Sequence, residues 1–167
     1  MTLTKTNDLT NIRECLFSQK EALKLTDYSL RQLKYFLYQL YLFEPIVIEH
    51  NMYFTFQQLI ALKILQFLKE KGYFYSKIKY FNEFFKLLEN DKKYKNKKYL
   101  LVAYNEIHLV CEDKLGKCLI DLVGEYQGLT TNIYILNLNN LIQDLDKSAK
   151  EIKIVNYEAK KEFSLTH

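Results

Sequence analysis

Apolar residues recur at helical spacing through roughly the first ninety positions of this chain, then alternate with polar ones for much of the remainder. The first clear element starts at Phe17-Ser18-Gln19-Lys20-Glu21. Ser18 with Glu21 three residues on is a capping box, and Phe17 can staple the start of a short helix ending near Leu25. Thr26-Asp27-Tyr28 then makes a turn, and Ser29 caps a second helix. Its Leu30, Leu33, Leu37 and Leu40 are expected to face inward, which turns Arg31, Lys34, Tyr35 and Tyr38 outward. Pro45 ends this region. Ile46-Val47-Ile48 and Tyr53-Phe54 are β-prone runs around Glu49-His50-Asn51, the pattern of a small hairpin. Thr55 caps a third helix over 57–71, whose only polar stripe is Lys63, Gln66 and Glu70. A helix so nearly apolar all round is expected to need more cover than one small domain supplies. Gly72 stops it, and Ser76 opens a fourth helix with Ile78, Phe81, Phe85 and Leu88 on one face.

Beyond a lysine-rich stretch at 91–98 (DKKYKNKK) the period becomes two. Strands are expected at Tyr99–Tyr104 and Ile107–Glu112 around Asn105-Glu106, with a third at Lys117–Val123. Closing the turn at Asp113–Gly116 symmetrically sets Cys111 opposite Cys118, Leu109 opposite Ile120 and Ile107 opposite Leu122 on one apolar face. Glu112 then meets Lys117 and His108 meets Asp121 on the other. A loop at 124–128, a strand near Asn132–Leu138, a short helix from Asn139 to about Ala149 and a last strand at Ile152–Tyr157 complete the reading. The expected class is α+β. A lead-in at 1–16 precedes a helical domain at 17–90, a linker at 91–98, a small antiparallel β-meander with a short helix at 99–157, and a tail at 158–167.

Composition narrows the function. With 49% hydrophobic residues, four glycines and one proline in 167 residues, the chain can bury a core. The net charge of +4 is mild, but the excess of cations lies before residue 99, and the remainder is acidic. That asymmetry is compatible with phosphate binding by the front half. No apolar run approaches a membrane span and the first ten residues are too polar for a signal peptide. Three cysteines without framework spacing fit a reducing, cytoplasmic setting. His50, His108 and His167 share no ligand spacing with one another or with the cysteines. Cys111 and Cys118 read as small hydrophobes rather than as a redox or metal pair. There is no phosphate-binding glycine loop or nucleophile elbow, so neither an enzyme nor a cofactor or metal is expected.

The outward Arg31, Lys34, Tyr35 and Tyr38 are the residues to carry a function. A helix pointing such side chains away from its core suits a DNA major groove, and an ordinary solvated face is the alternative. Phe17-Ser18-Gln19-Lys20-Glu21-Ala22 followed by Ser29-Leu30-Arg31-Gln32-Leu33-Lys34-Tyr35-Phe36 resembles the first two helices of the MerR family of transcription regulators. Tyr53-Phe54-Thr55-Phe56-Gln57-Gln58-Leu59 is similar to that family's entry to its third helix, and Leu68-Lys69-Glu70-Lys71-Gly72-Tyr73 to the turn before its fourth. About 65 residues are covered. The resemblance implies a winged helix-turn-helix at 17–90 that binds double-stranded DNA as a homodimer. It assigns groove and phosphate contacts to Ser29, Arg31, Gln32, Lys34 and Tyr35, and wing-side contacts to Tyr53 and Thr55, with Tyr38 added by its outward position. The sequence departs from the family at Met52, where an arginine usually precedes the wing tyrosine, and in lacking the long heptad-bearing helix of many members. These departures favour a rival expectation, a non-enzymatic protein–protein interaction module on the same scaffold. A sensor of small molecules, using aromatics of the fourth helix and the β-rich part, is a third, with a small-molecule or protein effector as its partner.

Overall fold

The computed structural model describes residues 10–90, 98–129 and 131–166. Three successive helices begin at reciprocal capping boxes, which satisfy first-turn amides that a helix leaves open. Ser18 caps α1 (Gln19–Thr26) with Glu21, Ser29 caps α2 (Leu30–Tyr38) with Gln32, and Thr55 caps α3 (Phe56–Glu70) with Gln58. Between α1 and α2, Asp27 takes the left-handed conformation that ends a helix (φ 60°). The buried stripe of α2 is Leu33, Phe36 and Leu37, with Leu40 buried just beyond its end. Leu30, expected inside, stands in the first turn at 38% exposure, and Phe36 takes the inward place instead.

The hairpin forms as expected, from β2 (Ile46–Ile48) and β3 (Asn51–Phe54). Its turn is the two-residue Glu49-His50, with both φ positive at 48° and 68°, the backbone that matches strand twist in a tight hairpin. A third strand had no local signal: β1 (Phe17–Ser18) pairs antiparallel with β3, Phe17 opposite Phe54, so the sheet order is β1-β3-β2. After Gly72 (φ 87°) come α4 (Tyr75–Ile78), a 3-10 turn (Lys79–Phe81) and α5 (Asn82–Asn90). The expected face of Ile78, Phe81, Phe85 and Leu88 is buried. The lysine-rich stretch falls outside the described residues except Lys98, which pairs with Glu112 at 3.1 Å.

The second half requires two corrections. β4 (Tyr99–Ala103) and β5 (Glu106–Val110) form a hairpin as expected, but Lys117–Val123 is not a third strand. It lies within α6 (Leu115–Glu125), preceded by a 3-10 turn at Glu112–Lys114. The segment satisfies both periods: Leu115, Cys118, Leu119 and Leu122 also form a helical stripe, and that stripe packs on Leu101 and Ala103 of β4. The expected pairing of Cys111 with Cys118, Leu109 with Ile120, Ile107 with Leu122, Glu112 with Lys117 and His108 with Asp121 therefore does not exist. Leu109 lies opposite Leu100, Ile107 opposite Val102, and His108 opposite Leu101. The third strand is β6 (Ile133–Asn137), on the other side of β4, giving the order β5-β4-β6 rather than a meander.

The second correction concerns the end of the described chain. The helix expected from Asn139 is α7 (Leu138–Glu151), but residues 152–156 form no strand, and Tyr157–Thr166 is a further helix, α8. α7 and α8 both pack on α3, and α7 also meets α1. One buried cluster joins Phe17, Phe36, Phe56 and Leu65 to Leu100, Leu138, Leu145 and Tyr157. The all-round apolar α3 thus finds its cover within this chain, so its composition no longer argues for a second subunit. The architecture is α+β, with two small antiparallel sheets among helices. No described helix is long and apolar enough to cross a membrane.

Candidate nucleic-acid interface

α2 sits with its leucine and phenylalanine stripe on the core, so geometry forces the opposite stripe into solvent. Arg31, Lys34, Tyr35 and Tyr38 are all exposed there. Leu30, Lys34 and Tyr38, four residues apart, form the edge that faces the hairpin. Across from them stand His50, Asn51, Met52 and Tyr53, with Gln19 and Lys20 of α1 closing the end, around an open cleft of about 560 Å³. The Tyr38 hydroxyl donates to the Met52 thioether sulfur at 3.6 Å, linking helix to hairpin.

The expected contact residues divide into three groups. Lys34, Tyr38 and Tyr53 line this cleft together. Arg31 and Tyr35 lie one step round α2, with the Tyr35 ring against Tyr75 at 5.5 Å between centroids. Ser29, Gln32 and Thr55 are absent from the lining and are engaged in caps. The Ser29 hydroxyl accepts from the Gln32 amide at 3.2 Å, and Gln32 Oε1 accepts from the Ser29 amide at 2.9 Å. The Thr55 hydroxyl accepts from the Gln58 amide at 3.2 Å. Gln32 also borders a separate cleft with Asp27, Lys63, Gln66 and Lys69.

Charge at the cleft follows from which carboxylates are already occupied. Its lining holds Lys20 and Lys34 and no acid. Glu21, the neighbour of Lys20, is turned away to Lys160 at 2.9 Å. Glu49, the neighbour of His50, forms an ion pair with Arg13. Among the described residues no carboxylate pairs with Lys20, Arg31 or Lys34. The surface therefore carries a local positive potential larger than the net charge implies.

Gln19, Lys20, Leu30, His50, Asn51 and Met52 were not among the expected contacts. Lys20 and Gln19 arrive because β1 pairs with β3 and draws the start of α1 beside the hairpin, and a two-residue strand leaves no pattern to read. His50 was visible only as part of the turn.

Other candidate sites are less developed. A cleft of about 150 Å³ at the junction of α3, α4 and the second sheet is lined by Lys71, Tyr73, Lys77, Tyr104, Asn132 and Tyr134. Lys71 lies over the Tyr134 ring at 5.4 Å and Lys77 over Tyr104 at 5.3 Å, both within cation–π range. Burial pushes the Tyr73 phenol up, with the Tyr134 hydroxyl adding to it. Among the described residues there is no group of three or more His, Cys, Asp or Glu placed to hold a metal ion. Cys15, Cys111 and Cys118 are free thiols. Neither a model of any known protein family nor any curated protein sequence matches this chain.

Proposed function

We propose that the chain is a DNA-binding transcriptional regulator of MerR-like type, acting in the cytoplasm as a homodimer. In this reading α1, α2 and the β2–β3 hairpin serve as a winged helix-turn-helix. The observation that carries it is the exposed, acid-free surface where Lys20 and Lys34 flank the outward stripe of α2 beside the hairpin. Lys20 and Lys34 would neutralise backbone phosphates. Arg31 has the planar fork that reads guanine O6 and N7 in a major groove. Tyr35 and Tyr38 offer ring faces and hydroxyls to sugar and base edges, and Tyr53 places the hairpin against the adjoining backbone.

Binding should be strongly salt-dependent, because each neutralised phosphate contributes a slope of about −0.9 in log K against log salt. Mobility shifts on genomic duplex fragments test this, comparing the unaltered chain with an Arg31→Ala/Lys34→Ala variant at two salt concentrations. Loss of the one phosphate contact that Lys34 makes in each protomer should lower the slope of a dimer by about 1.8 and weaken binding across all fragments, while loss of Arg31 removes base readout. An unchanged slope removes the assignment of α2 to the groove.

One observation favours a second reading, a protein–protein interaction module. The hairpin turn presents an acid tied to Arg13 rather than an unpaired cation, and Leu30 and Met52 give the cleft apolar area. That reading expects affinity for duplex DNA to be absent at low salt and a specific protein to be retained, with retention lost in a Leu30→Asp variant.

A further inference from the structure

α6 is covered on one side only. Its Leu115, Cys118, Leu119 and Leu122 pack on the outer face of the second sheet, and of its eleven residues only Leu122 is fully buried. On the opposite side Ile120 is 73% exposed and Val123 59% exposed, and Leu129, just past the helix, is 66% exposed. Ile120 and Val123 are three residues apart and share one face. Gly116 and Gly124 lie four residues before and after Ile120 on that face, and among the described residues nothing beyond their chain neighbours and the helix's own backbone comes within 4 Å of where their side chains would begin. The apolar ridge is therefore flat and open at both ends.

Beside this ridge, on one flank, stand Lys117 and Asp121, four residues apart and both exposed. Among the described residues neither has an ion-pair partner. The order of the two charges is what identifies the occupant. If two copies of α6 pack antiparallel about a two-fold axis through Ile120, the same flank of each helix meets the same flank of the other. Ile120 then packs on Ile120 of the second copy, and each Gly116 lies opposite a Gly124. Lys117 of each copy comes within about two residues, or roughly 3 Å along the axis, of the other copy's Asp121, and the pairing occurs twice by symmetry. A surface neutral in sum and complementary to its own image suits a second copy of itself. An anionic membrane or nucleic acid would instead require a cationic face.

We propose that the outer face of α6 is the interface through which two copies of this chain associate, antiparallel, around Ile120. The interface supplies the two-fold arrangement invoked above and rests on that reading only for the use made of the dimer; the association itself requires no DNA.

Sedimentation velocity over a range of protein concentrations, without DNA, tests the proposal. The unaltered chain should move from 20.1 kDa toward twice that mass as concentration rises. Ile120→Asp should hold it at the single-chain mass, with an unchanged far-ultraviolet spectrum showing the fold intact. Lys117→Asp and Asp121→Lys should each weaken association at least tenfold, since like charges then face each other, and the double swap Lys117→Asp/Asp121→Lys should restore it. Restoration by the swap is expected only when both sides of the interface are the same helix. A single-chain mass at every concentration, or a dimer indifferent to Ile120→Asp, overturns the proposal, and so does a failure of the swap to restore association. A salt-dependent mobility shift by a chain that stays single would leave the DNA reading standing while this interface fell.

Discussion

The pair formed by Lys160 of α8 and Glu21 of α1 offers the sharpest test of how the chain closes. Lys160 Nζ lies 2.9 Å from both carboxylate oxygens of Glu21, and the side chains are only 9% and 21% exposed. The Lys160 ammonium also sits over the Phe17 ring at 5.7 Å. Glu21 has a second task, since its Oε2 accepts the Ser18 amide at 2.8 Å in the capping box. Lys160→Met keeps the apolar stem and deletes the charge, leaving a mostly buried carboxylate without its cation. Breaking a fully buried pair costs about 3–5 kcal/mol and an exposed one below about 1. With Glu21 still partly in water, about 2–3 kcal/mol is expected. Heating should show this as a fall of roughly 4–12 °C in midpoint for a chain of this size.

Glu21→Gln preserves the capping acceptor while removing the negative charge. Lys160→Met/Glu21→Gln, having no orphaned ion, should therefore be more stable than Lys160→Met alone. Urea unfolding of the four proteins, with slopes checked for constancy, gives the coupling from the double-mutant cycle, expected at about 1–2 kcal/mol. A Lys160→Met protein within about 0.5 kcal/mol of the unaltered one, or a cycle with no coupling, would show that α8 is not anchored this way.

Two other outcomes follow from buried phenols and from the hairpin turn. Tyr28 donates to the Leu62 carbonyl at 3.3 Å and Tyr157 to Asp146 Oδ1 at 2.7 Å, and burial holds both phenols above the ordinary tyrosine value of 10.0. Their folded values exceed their unfolded ones, so the stability they contribute is complete below about pH 10 and drains away as pH rises beyond it. The urea midpoint should fall on that alkaline limb, and less steeply in Tyr28→Phe; an identical limb in that variant refutes the assignment. His50 holds φ 68° in the hairpin turn, a conformation costing a non-glycine residue about 1–2 kcal/mol, part of which glycine's greater unfolded freedom offsets. His50→Gly should therefore raise stability by about 0.5 kcal/mol, and a decrease in urea midpoint would contradict the left-handed turn.

What could be read beforehand was local. Ser18, Ser29 and Thr55 announced three helix starts because a cap and its partner lie three residues apart, and the hairpin was visible because its β-prone runs flank a tight turn. The outward position of Arg31, Lys34, Tyr35 and Tyr38 was likewise legible from spacing. The segment around Lys117–Val123 misled because a seven-residue run with Cys118, Ile120 and Leu122 at every second position also carries a helical stripe, and any such run yields agreeable partners once a register is assumed. Among the described residues the outer edge of β5 takes no strand, and the segment instead lies over the face of β4 as α6, with its stripe on Leu101 and Ala103. α8 was illegible for a different reason. Its inward face includes Lys160 and Ser164, both buried, so no apolar stripe marks it. Its docking depends on Glu21 and on the Phe56 amide, whose acceptor is the Ser164 hydroxyl at 2.7 Å. The cleft residues Gln19 and Lys20 escaped notice because their position depends on a sheet pairing between segments more than thirty residues apart.

That bond from Ser164 to the first turn of α3 ties two points 108 residues apart along the chain. During synthesis, α3 leaves the ribosome long before the serine that completes its opening turn exists. For that interval an almost wholly apolar helix is sheltered by α1, α4, α5 and, once made, α7, and the flank that α8 will cover is open to any sticky neighbour. Nascent chains stalled before residue 157 should therefore be captured by holdase chaperones and released once the closing helix is made, so that the timing of translation governs how much of this protein is recovered in usable form.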